Sequence, residues 1–180
     1  MQEMKNVLAF WFSAEAQPYW FAKSDDFDAV LRTKFGQVWA KAKQAELAHW
    51  RSSPEGRVAE IIVLDQFSRN LCREQPTAFS QDGMALVLAQ ELVALPEFAG
   101  LTGPYRQFAL MPYMHSESAA IHVEAVRLFT EHTDANTLDF EMRHKAIIDR
   151  FGRYPHRNKA LSRSSSEEEI AFLQEDGSSF

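Results

Sequence analysis

Along almost the whole chain, apolar residues recur at helical spacing; no segment alternates apolar and polar as a half-buried strand does. Residues 3–12 read as a short amphipathic helix ending before Ser13. Pro18 then breaks the chain, and Tyr19, Trp20 and Phe21 form an apolar plug. Ser24 is a cap for a long helix from Asp25 to about Ala48, with acids in its dipole-favoured first turn. Phe27, Leu31, Phe35, Val38 and Ala42 give that helix one apolar stripe. Ser53-Pro54-Glu55 is a start signal for a helix to about Leu71. Ser80 or Asp82 opens the next, which ends before Pro96. Gly103-Pro104 opens a short helix to Leu110, another spans about Tyr113 to His132, and another Ala135 to Phe151. Gly152 and Pro155 end that one, and Ser166 with Glu169 predicts a capping box for a last short helix. The expectation is an all-α fold, an antiparallel array or bundle of roughly seven to nine helices. One domain is expected over 1–180, with 175–180 as a frayed tail.

Composition narrows the class. With 180 residues, 46% of them hydrophobic, the chain can bury a core without staples. The lone Cys72 forms no intramolecular disulfide, which fits a reducing cytoplasm. Val7–Phe12 is too short for the apolar core of an export signal, and no run reaches the ~18 residues of a membrane span. A net charge of −6 argues against general affinity for nucleic acid or membrane surfaces.

The charges are unevenly spread. Between Arg143 and Arg163 lie seven Lys/Arg and one acid, Asp149; after Ser164 come five acids and no Lys/Arg. Helix dipoles account for two or three such charges, not seven. Arg153, His156, Arg157 and Asn158 are planar or forked donors suited to carboxylate or phosphate. Upstream, Asp65 and Arg69 lie four apart on the helix carrying "VLDQFSRN", which is apolar nearly all round. They therefore pair in a buried setting, either as a structural bridge or as an Arg aimed into a pocket, with Gln66, Asn70 and Arg73 beside them. His115 and His122 are seven apart, about 10 Å of helical rise, a poor metal spacing, so no metal or cofactor is expected. If Ser116 caps a helix, His115 lies just outside it, with the N–H groups of 117–119 facing the same space. Glu117 either complements that dipole or binds an Arg; His144 falls on a core face with Phe140 and Ile147. No phosphate-binding loop or nucleophile elbow is present.

"VLDQFSRN", "MPYMHSE" and "HKAIIDRFGRYPHRNKALSRSSSEEEIAFL" together resemble the bacterial family known as domain of unknown function 924, over essentially the whole chain. That resemblance implies an all-helical fold similar to tetratricopeptide-repeat proteins. It also implies that the three motifs belong together: Asp65, Gln66, Arg69 and Asn70; His115, Ser116 and Glu117; His144, Arg150, Phe151, Gly152, Arg153, Pro155, His156, Arg157 and Asn158. Ser68 stands where the family usually has Pro and is expected to straighten the end of the central helix. Ser118 stands where an Asp is frequent, removing an acid near His115. The family brings no established activity.

Two functions follow as expectations. The first is a small anionic ligand, bearing phosphate or carboxylate, held by Asp65, Arg69, Asn70, Arg153, Arg157 and Asn158. His115 or His156 would be the acid/base, oriented by Glu117 or Asp65, for hydrolase or transferase chemistry. The sequence does not decide whether a reaction occurs. The second is a scaffold gripping an acidic peptide in a helical groove. The bland alternative is a buried ion-pair network that only holds helices together.

Overall fold

Helices start where a side chain can take the first free N–H groups. Ser24 accepts from the Phe27 N–H at 3.2 Å, Ser53 from Gly56 at 3.1 Å and Asp134 from Thr137 at 2.8 Å. Ser166 and Glu169 close the expected capping box. The computed structural model describes residues 1–179, which hold eight helices and no strand. They are α1 (Gln2–Trp11), α2 (Asp25–Lys43), α3, α4 (Asp82–Val93), α5 (Gly103–Met114), α6 (Ala119–His132), α7 (Ala135–Phe151) and α8 (Glu167–Phe172). Helix α3 is α-helical over Pro54–Ile62 and Ser68–Leu71, with a π-helical turn over Val63–Phe67 between them.

Helix α3 is central, packed on α1, α2, α4 and α5, as its all-round apolar sequence requires. Its start is fixed by Gly56, where a Cβ would come within 2.0 Å of the Trp50 carbonyl oxygen. Around it sits an aromatic core. Trp11 meets Phe67 at 5.5 Å and Phe108 at 5.4 Å, and Trp20 meets Phe108 at 4.8 Å between ring centres. A second, smaller apolar cluster of Ile147, Ile148, Tyr154 and Phe172 lies at the C-terminal end.

Two expectations need correction. Helix α2 stops at Lys43, not near Ala48, because Ala45 turns left-handed (φ 58°) and residues 48–52 form a separate short turn that buries Trp50. Helix α5 does not stop at Leu110. It runs through Pro112 to Met114, since burial of Phe108, Leu110, Met111 and Tyr113 outweighs the one N–H that proline removes. The break therefore falls at 115–118, and α6 starts at Ala119 without a side-chain cap. At Ser68 the helix returns to α-helical geometry over Ser68–Leu71, directly after the π turn. The Ser68 hydroxyl donates to the Leu64 carbonyl (2.5 Å) and accepts from the Trp39 indole (2.9 Å). Of the expected tail 175–180, Phe180 lies outside the described residues; Ser178 is buried, its hydroxyl on the Leu173 carbonyl at 3.3 Å.

Candidate functional site

The π turn decides where Asp65 points. Its carboxylate is fully buried and faces the α5–α6 junction, where the chain leaves α5 at His115. The Asp65 carboxylate accepts from Gln66 (2.5 Å), pairs with the Arg69 guanidinium 3.0 Å away, and meets His115 Nδ1 at 2.7 Å. Burial alone would raise this carboxyl. The positive charge of Arg69 and the His115 contact outweigh it and hold the group well below the usual carboxylate range. Burial and Arg69 push the His115 imidazole down, against the pull of Asp65, so the ring is neutral at pH 7. An ionised Asp65 can only accept, so Nδ1 carries the proton and Nε2 is the basic nitrogen. Among the described residues Nε2 has no hydrogen-bonding partner, and the His115 side chain is 15% exposed.

Two arginines close the site. Arg69 grips Asp82 at the start of α4 with two bonds of 2.9 Å and also donates to the Asp65 carbonyl at 3.0 Å. Arg157 reaches the same Asp82 carboxylate at 3.2 Å and donates to the His115 carbonyl at 3.0 Å. Its guanidinium lies between the Phe79 ring (4.7 Å) and the Tyr154 ring (4.4 Å). Burial and Arg69 lower it to about 10, which leaves it charged at neutral pH.

Glu117 acts as the clasp. It accepts the Tyr154 N–H at 2.8 Å and a double bond from Arg163 at 2.7 and 2.9 Å, docking the 152–163 loop on the α5–α6 junction. Behind it, Tyr154 is fully buried and ringed by histidines. His156 lies at 5.5 Å, His144 at 5.7 Å and His122 at 6.4 Å between ring centres. Burial drives both His144 and His156 down to about 3, joined at His156 by the positive charges of Arg157 and Arg69. His144 Nδ1 meets the Phe140 carbonyl at 2.7 Å. His122 Nε2 donates to the Ser116 carbonyl at 2.8 Å while Nδ1 meets the Glu141 carboxyl at 2.7 Å.

The structure thus gathers Asp65, Arg69, His115, Glu117, His156 and Arg157. It does not bring the other expected ligand residues to that group. Asn70 donates to Asp28 at 2.8 Å, an acid that Arg73 also grips, and lines a separate depression of about 280 Å³. Asn158 is buried between Ser165 and Arg163 at 3.0 and 2.9 Å. Arg153 binds Glu169 with bonds of 2.6 and 2.8 Å and the Ser164 carbonyl, tethering α8. The sequence reading missed Asp82, Tyr154 and Arg163. Asp82 read only as a helix opener, and Arg163 only as one more charge in a basic run.

The chain belongs to the family of bacterial proteins of unknown function DUF924, whose pattern matches residues 7–177. Its fold is similar to the solved structure of the protein of unknown function ATU0120 from Agrobacterium tumefaciens. The two are 29% identical over 95% of this chain and 96% of that one, with a TM-score of 0.89. Among curated proteins, none matches. No helix among the described residues is long and apolar enough to cross a membrane.

Proposed function

We propose that this protein binds a small anionic metabolite where Arg69, Arg157 and His115 meet, and that His115 acts there as a general base. The reading rests chiefly on one observation. A neutral imidazole, 15% exposed, has its Nδ1 fixed on a buried carboxylate 2.7 Å away that also pairs with Arg69 at 3.0 Å, and Arg157 binds the His115 carbonyl at 3.0 Å. That is how an acid orients a histidine for proton abstraction. Removing a proton from water would give a hydrolase, and from a ligand hydroxyl a transferase. His156, 5.5 Å from the Tyr154 ring and held neutral, is the second candidate base. The lone buried Cys72 supports a reducing cytoplasm as its place of work. Gripping an acidic peptide is the weaker reading, since the basic stretch is occupied: Arg150 on Glu168, Arg153 on Glu169, Arg163 on Glu117.

The test is thermal shift of wild type and Arg157→Ala against phosphorylated and carboxylated metabolites. A ligand at 100 times its Kd adds ~2.7 kcal/mol, several degrees at this size. The expected result is an anion that stabilises wild type and not the variant. If nothing binds and the variant only loses stability, the cluster is a structural ion-pair hub and the proposal falls.

A further inference from the structure

We infer that the anion subsite takes a carboxylate, and that Asp82 is a built-in stand-in which the ligand's carboxylate displaces. The inference rests on the ligand site proposed above.

Asp82 differs from the other acids of the cluster in where it comes from. Asp65 is rooted in the central helix and is fully buried. Asp82 is the first residue of α4, behind a connection exposed at 74–76, and its side chain is 19% exposed. Its carboxylate nevertheless takes the bonds a bound carboxylate would take: a two-pronged grip from Arg69 at 2.9 Å and a third bond from Arg157 at 3.2 Å. Phe79, from the same connection, stacks on Arg157 from one side.

The fork does not need Asp82 to hold its shape. Arg69 keeps the Asp65 carboxylate and carbonyl, both at 3.0 Å. Arg157 keeps the His115 carbonyl at 3.0 Å and the Tyr154 ring at 4.4 Å. Of its buried nitrogens, Nε has no hydrogen-bonding partner among the described residues. With Asp82 turned to solvent, two guanidiniums face the single carboxylate of Asp65, a surplus of one positive charge. That surplus matches a monoanionic carboxylate. The exchange swaps one carboxylate for another, so it demands little net desolvation. Arg157 links the fork to the His115 carbonyl, and Arg69 links it to the Asp65 carboxylate that holds the His115 imidazole, so the fork and the proposed base share partners.

The experiment titrates wild type, Asp82→Asn and Asp82→Ala with sodium acetate, against sodium chloride at equal ionic strength, reading Tm. Both variants should be stabilised by acetate and not by chloride, with half-saturation at least tenfold lower than in wild type. Adding Arg157→Lys should abolish the gain. If Asp82→Asn does not fold in chloride, refolding of either variant in acetate alone also supports displacement. Acetate and chloride acting alike on both variants overturns it, and inorganic phosphate acting more strongly than acetate overturns the carboxylate assignment. If a metabolite stabilises wild type while the variants gain nothing from acetate, displacement falls and the ligand site stands. If nothing binds any of the proteins, both fall.

Discussion

Phe67 and Asp65 sit two residues apart on the same π turn and face opposite kinds of interior. Phe67 points into the aromatic core, with Trp11 and Phe35 rings at 5.5 Å. Asp65 points into a polar core of arginines, acids and histidines around Tyr154. Both side chains are buried, but burial acts differently on them. In the aromatic core it is the stabilising term itself, roughly proportional to apolar area removed from water. In the polar core it is a penalty that every group offsets through a partner. The first core requires only volume and shape; the second requires specific charges in specific protonation states. A fold that needed only stability could fill the second region with apolar side chains at little loss. The retention of so many ionisable groups at one partly exposed edge is what distinguishes a candidate site from packing.

The largest expected effect breaks the comparison by charge. Asp65→Asn keeps shape and volume but leaves His115 without its carboxylate and Arg69 with Asp82 as its remaining anion, a loss of about 3 kcal/mol. Phe67→Leu keeps an apolar side chain and should lose under about 2 kcal/mol. Urea unfolding of both decides it. If Asp65→Asn loses less than Phe67→Leu, the polar core is not held by charge.

The next largest is acid sensitivity confined to the polar core. His144 and His156 have folded values lowered to about 3, and His115 is lowered too. Below their unfolded pKa near 6.5 the unfolded chain binds protons that the folded chain refuses. Their contribution is therefore present above pH ~6.5 and lost as pH falls. Between pH 7.5 and 5.5 each fully refusing imidazole removes about 1.4 kcal/mol. Glu141, pushed up by burial, works in the opposite direction. Denaturant titrations across that range should show the fall, and His144→Gln should flatten it by one proton while Phe67→Leu leaves the slope alone. An unchanged slope in His144→Gln would show that this imidazole ionises freely in the folded protein.

The two cores also differ in how legible they were. The aromatic core follows from periodicity, because helix caps and apolar stripes are local: Ser24, Ser53 and the Ser166–Glu169 box each lie within one turn of what they cap. In the polar core the Asp65–Arg69 ion pair is local, but the contacts that close the site are not. Arg157 meets Asp82 across 75 residues, and Glu117 meets Arg163 across 46. No spacing rule connects such positions, so the residue types could be singled out but not their partners. The π turn was illegible for a related reason. It depends on the Ser68 hydroxyl satisfying the Leu64 carbonyl and on Trp39, from another helix, bonding that hydroxyl. The break at 115–118 was expected further upstream, between Leu110 and Tyr113, whereas burial on both sides of Pro112 carries α5 onward.

The smallest expected effect is the sharpest test of where the site ends. Arg153 and Arg157 stand four apart in one basic stretch and are indistinguishable by sequence rules for anion binding. Arg157 lies 5% exposed between two aromatic rings and touches the His115 carbonyl. Arg153 is turned the other way, with both hydrogen-bonding edges on Glu169 and the Ser164 carbonyl. Glu169 is drawn down to about 2, mainly by that Arg153 contact, and also closes the α8 capping box through the Ser166 N–H. Arg153→Ala should therefore loosen α8, lowering Tm by about a degree or two, because surface pairs contribute little and the capping box survives. Any ligand-induced Tm gain seen in wild type should persist in Arg153→Ala undiminished, while Arg157→Ala loses it. If Arg153→Ala abolishes the gain as Arg157→Ala does, the ligand also engages the α8 side of the loop, and a site centred on Asp65, His115 and Asp82 is too small.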